Sequence, residues 1–140
     1  MKPITNTFVV VASDCPTPTA VVPMAKAESP TIAVIQYELL TGKPYAMTLE
    51  DLIFATHVRK LGLSKAEMKS QADAIRAALF AKSHPCMRAS PLPKRYGWGV
   101  HHDSKGLIAL YAAESPEYRH FAAGGDGVEV VPAMRSKRAG

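Results

Sequence analysis

A thiol, several cations and three large aromatic rings crowd one run of the chain, H-P-C-M-R-A-S-P-L-P-K-R-Y-G-W-G-V-H-H-D-S-K-G-L-I-A-L-Y, from His84 to Tyr111. Two chemistries could use them. A cysteine reacts as its thiolate, and a nearby guanidinium or imidazole favours that form over the free thiol, whose pKa is about 8.5. Arg88 stands two residues after Cys86, and a chain reversal could return His84, His101 or His102 to the sulfur. Cys86 with His101 is the candidate catalytic pair. The second chemistry is anion recognition. Arg88 and Arg95 offer planar forks for phosphate or carboxylate, and Lys94 offers a point charge. Tyr96 and Trp98 offer faces on which a nucleobase can stack. Gly97 and Gly99 let a ligand or another backbone approach closely. An inert buried cysteine and a packed aromatic pair are the structural alternatives.

The formal net charge of +5 is local. Lys82, Arg88, Lys94, Arg95 and Lys105 face only Asp103 in one segment, and Arg135, Lys137 and Arg138 face no acid at the C-terminus, so the remainder is net negative. Two such segments brought together make a positive patch. The functional expectation is an anion-recognising domain for a nucleotide or another phosphorylated small molecule. It would use the loop 86–101 through Arg88, Lys94, Arg95, Tyr96 and Trp98, together with Arg135. The alternatives are a cysteine-dependent enzyme with Cys86 as nucleophile and a protein-interaction domain, so catalysis stays open. Nucleic acid is the less supported anion, since the charge is modest and no nucleic-acid-binding signature is present.

No metal or cofactor is expected. Zinc sites announce themselves by paired ligands a few residues apart, and Cys15 and Cys86 each lack a partner cysteine. Adjacent His101 and His102 on a strand would point to opposite faces. P-loop, G-x-G-x-x-G, H-E-x-x-H and G-x-S-x-G patterns are missing, which removes the common nucleotide and hydrolase motifs.

The elements that must position these residues are read in order. Thr7 to Ala12 is β-branched and apolar, a strand covered on both faces, closed by Ser13-Asp14-Cys15-Pro16. Thr17 to Ser29 reads as a loop. Ser29-Pro30 predicts a helix start, with Ile32, Ile35 and Leu39 on one face and Gly42 as its stop. Thr48 with Asp51 opens a second helix, whose buried face is predicted to hold Phe54, His57, Val58 and Leu61. Ser64 with Glu67 opens a third, striped by Met68, Ala72, Ile75 and Leu79. The chain from Pro85 to Tyr96 is expected to be irregular. Residues 97–102 and 107–112 form a hairpin around Asp103-Ser104-Lys105-Gly106. Ser115-Pro116 opens a short helix, and 128–131 is a last strand. The fold class is α+β: a small, mainly antiparallel sheet with about three principal helices packed on one face.

At 140 residues and 47% hydrophobic content the chain reads as one domain, 1–140, with a basic tail over 133–140. No apolar run approaches the ~20 residues of a membrane helix, and two cysteines make no disulfide framework. A cytoplasmic protein is expected, of unassigned oligomeric state. Ala133 to about Lys137 is expected to be ordered beside the loop 86–96. The cations so gathered would need an anion, or the carboxylate of Asp14, Glu50 or Asp51, between them.

The blocks T-F-V-V-V-A-S-D-C-P, P-Y-A-M-T-L-E-D-L-I-F, K-S-H-P-C-M-R-A-S-P-L-P-K-R-Y-G-W-G-V-H and A-M-R-S-K-R together resemble a family of short bacterial and fungal proteins known as a domain of unknown function. The likeness covers nearly the whole chain, although Pro18 to Lys26 departs from the pattern by lacking a glycine. It implies a single-domain protein and carries over no catalytic or binding residue.

Overall fold

The computed structural model describes residues 3–24 and 31–136. Four strands, β1 (Thr7–Val10), β2 (Trp98–His102), β3 (Ile108–Ala112) and β4 (Glu129–Pro132), form one sheet in the order β3-β2-β1-β4. The β2–β3 hairpin and the β1–β2 pair are antiparallel, and β4 runs parallel to β1. The architecture is α+β with a mostly antiparallel sheet.

Local chemistry explains the helices. Thr31 caps α1 (Ile32–Gly42) by accepting from Val34 N–H, while the predicted Ser29-Pro30 start lies outside the described residues. Helix α2 (Leu49–Leu61) and helix α3 (Lys65–Phe80) each begin with a complete capping box, Thr48/Asp51 and Ser64/Glu67. Each satisfies two backbone N–H groups that the helix itself cannot. Gly62 ends α2 in the left-handed conformation with φ +68°. Ser115 caps α5 (Pro116–Ala122), with Pro116 in its first turn.

Strand alternation gives the sheet two packed faces. Val9, Val100 and Ile108 meet Leu40 of α1, Leu49 and Leu52 of α2, and Met87 on one face. Phe8 meets Phe121, Tyr118 and Tyr111 on the other, where α5 covers it. The helices therefore occupy both faces, and α3 lies on α2. Three expected details differ. Ile32 and Leu61 are about half exposed, because the inward faces of α1 and α2 run through Ala33, Gln36 and Leu40 and through Leu49, Leu52 and Thr56. Phe54 is buried as expected, with the Arg76 guanidinium 4.3 Å from its ring centre. The segment 85–96 is not irregular: it holds a 3₁₀ turn, Met87–Ala89, and a short helix α4, Pro91–Arg95. Ser90 caps α4, and its hydroxyl also donates to the buried Gln36 Oε1 at 2.6 Å.

Gly99 is fixed by the second face. A Cβ there would lie 2.5 Å from Phe8 Cζ and 2.6 Å from Tyr118 Cε2, and neither ring can retreat from a filled cluster. Gly99→Ala is expected to destabilise the fold by about 2 kcal/mol through overpacking. The check is the urea midpoint, and an unchanged midpoint would show that Phe8 and Tyr118 are loosely held.

Candidate functional site

His101 and His102 leave β2 on opposite faces. His102 pairs in register with Thr7, which in turn pairs with Glu129 of β4, so these three side chains share a face. The Cys86–Arg88 segment crosses that face and closes a cavity of about 190 Å³, whose polar walls are Thr7, Cys86, Arg88, His102 and Glu129. His102 is 1% exposed, and its Nδ1 is buried without a hydrogen-bond partner. Burial, helped by the neighbouring His101, pushes this imidazole down from 6.5 to about 4, against the pull of Asp103. It is neutral at pH 7, so Arg88 is the cation in the cavity wall.

His101 belongs to the other face. Its Nδ1 lies 2.7 Å from the Tyr45 hydroxyl, which lies 2.7 Å from the Tyr111 hydroxyl, and its ring stacks on Phe121 with centroids 4.0 Å apart. Burial lowers the His101 pKa, opposed by Asp103 and Asp126, and burial together with the Tyr111 hydroxyl holds the Tyr45 phenol above its ordinary range. Tyr45 adopts φ +58°, a left-handed conformation unusual for a bulky side chain. The sheet thus separates Cys86 from His101 and brings it to a cavity with His102. Cys15 lies elsewhere, its sulfur beside Thr17, and both cysteines are free thiols.

A second cavity, of about 370 Å³, opens at the start of α1. Thr31, Ile32 and Ala33 form one wall, and Lys60 from the end of α2 with Arg95 and Tyr96 from the end of α4 form the others. The first amides of a helix have no acceptor within it and carry its positive partial charge. No acidic residue occupies the first turn of α1.

The remaining expected residues lie apart from this cavity's walls. Arg88 donates through Nε to Pro132 O at 2.7 Å and accepts from Met134 N–H at 2.8 Å. Lys94 is half-buried in α4, and Arg135 is exposed. Trp98 donates through Nε1 to Val21 O at 2.9 Å and packs on Tyr37. The close approach allowed by Gly97 is made by the chain itself: a Cβ there would lie 2.7 Å from Thr19 O. Trp98 and Gly97 thus hold down the loop that follows β1. The tail from Ala133 to Ser136 does run beside Arg88, and Ser136 N–H donates to Asp14 Oδ2 at 2.9 Å, while Lys137 lies outside the described residues.

A third hollow, about 350 Å³ and mainly apolar, runs between α1, α2 and the segment 84–91, and Cys86 and Met87 line both it and the inner cavity. Lys60 was invisible as a site residue because its only sequence signal is a cation in the last turn of α2. The role of His102 was half visible, since alternation separates it from His101 without saying which faces the thiol.

Among the described residues no helix is long and apolar enough to cross a membrane, and no cluster of three or more His, Cys, Asp or Glu could hold a metal ion. No curated protein and no solved structure matches the chain. The profile of a family of unknown function, DUF6157, matches residues 2–139, and the chain belongs to that family.

Proposed function

We propose that the protein is a binding domain for a small phosphorylated molecule, held by its phosphate at the start of α1. The observation that supports this reading is the meeting of Arg95, Lys60 and Tyr96 with the first turn of α1 around one cavity. Arg95 supplies a fork, Lys60 a point charge, Tyr96 a hydroxyl and a ring face, and the helix start its amides. The volume falls within the ~300–1,000 Å³ common for small-molecule sites, and the cavity is open enough for the rest of the ligand to extend outward. A nucleotide base against Tyr96 fits the same arrangement. Free thiols at Cys15 and Cys86 suit the reducing cytoplasm in which such metabolites are found.

Calorimetric titration with inorganic phosphate and with a nucleoside monophosphate, at constant ionic strength, tests the proposal. Losing a charge-assisted hydrogen bond costs about 1.5–3 kcal/mol, so Arg95→Ala should weaken binding by about ten- to a hundredfold. Lys60→Ala should act in the same direction, and Trp98→Phe should not. Affinity left intact by both Arg95→Ala and Lys60→Ala would remove the reading.

A further inference from the structure

The inner cavity is separate from the phosphate site, and its walls have a chemistry of their own. His102 is all but fully buried and presents an unpartnered ring nitrogen. Leaving a buried polar atom unsatisfied costs about 1–3 kcal/mol, and natural folds rarely keep one without a use. Here the ring lines a space of about 190 Å³, roughly six waters' worth at ~30 Å³ each. Thr7 and the Cys86 thiol are the other polar groups of the interior. Arg88 and Glu129 are exposed residues that also line the cavity, so one cation and one carboxylate stand at its rim.

We propose that this cavity is a second ligand site, for a small zwitterion of the amino-acid class. Arg88 takes the carboxylate and Glu129 the ammonium group, while His102 Nδ1 accepts from the side-chain hydroxyl of a ligand that carries one, as serine does. The charge balance decides the class. A simple anion would meet Glu129 as well as Arg88, and a simple cation the reverse, so each would forfeit by repulsion what it gains by attraction. A zwitterion satisfies both. The neutral imidazole adds a directional bond without a net charge, and the volume restricts the ligand to small members such as glycine, alanine and serine. Cys86 lies in the wall, so its sulfur reports occupancy.

The test uses the whole wild-type chain. Labelling of Cys86 by iodoacetamide is followed by mass spectrometry with glycine, alanine, serine, acetate or methylamine present at millimolar concentration, with calorimetry in parallel. At least one small amino acid should slow labelling of Cys86, but not of Cys15, and bind at least tenfold more tightly than acetate or methylamine. Glu129→Gln should weaken amino-acid binding about tenfold and strengthen acetate binding, since the repelling charge is gone. Arg95→Ala should change neither result, which keeps this site distinct from the phosphate site. If no amino acid protects Cys86, or if acetate binds as tightly as the amino acids, the proposal fails.

Discussion

Lowering the pH from 7 to about 4 should remove about 3 kcal/mol from the stability of the fold through His102 alone. In the native state this imidazole titrates at about 4, against 6.5 in an exposed chain. Between those values the unfolded chain binds a proton that the native one refuses, so stability rises with pH across that window. The His102 contribution is complete above about 6.5 and lost as the pH falls to 4, at 1.36 kcal/mol per unit. Its surroundings are Cys86, Arg88 and Glu129 across the cavity, His101 beside it and Asp103 one residue on. Of these, Asp103 favours the proton, but burial, with His101 acting in the same direction, outweighs it. The His101 shift has the same sign and steepens the fall. His102→Phe supplies the control: a ring of similar size stays on the apolar face, while the orphaned nitrogen and its titration disappear. By urea midpoint the variant should be the more stable already at pH 7, by the desolvation cost of about 1–3 kcal/mol that it no longer carries, and its advantage should widen towards pH 4.5. If both lose stability in parallel, His102 is not held neutral by its burial.

How far the sequence discloses such features depends on whether their cause is local. The hairpin around Asp103 was legible because its signals are a few residues apart: Asp103 Oδ1 accepts from Lys105 and Leu107 N–H, and Gly106 takes φ +82°. The capping boxes of α2 and α3 were legible for the same reason. Helix α4 carried the same Ser-Pro start as α5, but Pro93 inside a five-residue element masks it, and its anchor, Gln36, is distant in sequence. Inward faces were misplaced where a residue at a helix end, Ile32 or Leu61, fits the period but projects past its neighbours. The candidate sites are tertiary facts. Lys60 meets Arg95 only because α1 packs against both α2 and α4. Cys86 meets His102 rather than His101 because the segment before α4 crosses one sheet face and α5 takes the other.

Ending the chain at Pro132 should cost about 3 kcal/mol. Ala133 is 4% exposed in the main core, and its N–H donates to Val10 O at 2.9 Å, continuing the β1–β4 ladder. Met134 N–H donates to Arg88 O, and Ser136 N–H to the Asp14 carboxylate. Each backbone bond is worth about 1 kcal/mol net, and the one to the carboxylate about 1.5–3. Burial of the Ala133 methyl adds about 0.8 kcal/mol. Against these stand the ordering entropy of the released residues and the new terminal carboxylate at Pro132, which lies beside Arg88 and recovers part of the loss. The result is a folded but weakened protein. Asp14→Asn in the full chain should reproduce about 1 kcal/mol of the effect, the share that depends on the carboxylate charge. Phosphate affinity at Arg95 should survive the truncation, since the described part of the tail, Ala133 to Ser136, docks on Arg88 and Asp14 and forms no wall of that cavity. Equal urea midpoints for the full and shortened chains would mean that the docking of Ala133 to Ser136 adds nothing to the core. A truncated protein that had lost its phosphate binding would tie the anion site to Arg135 instead.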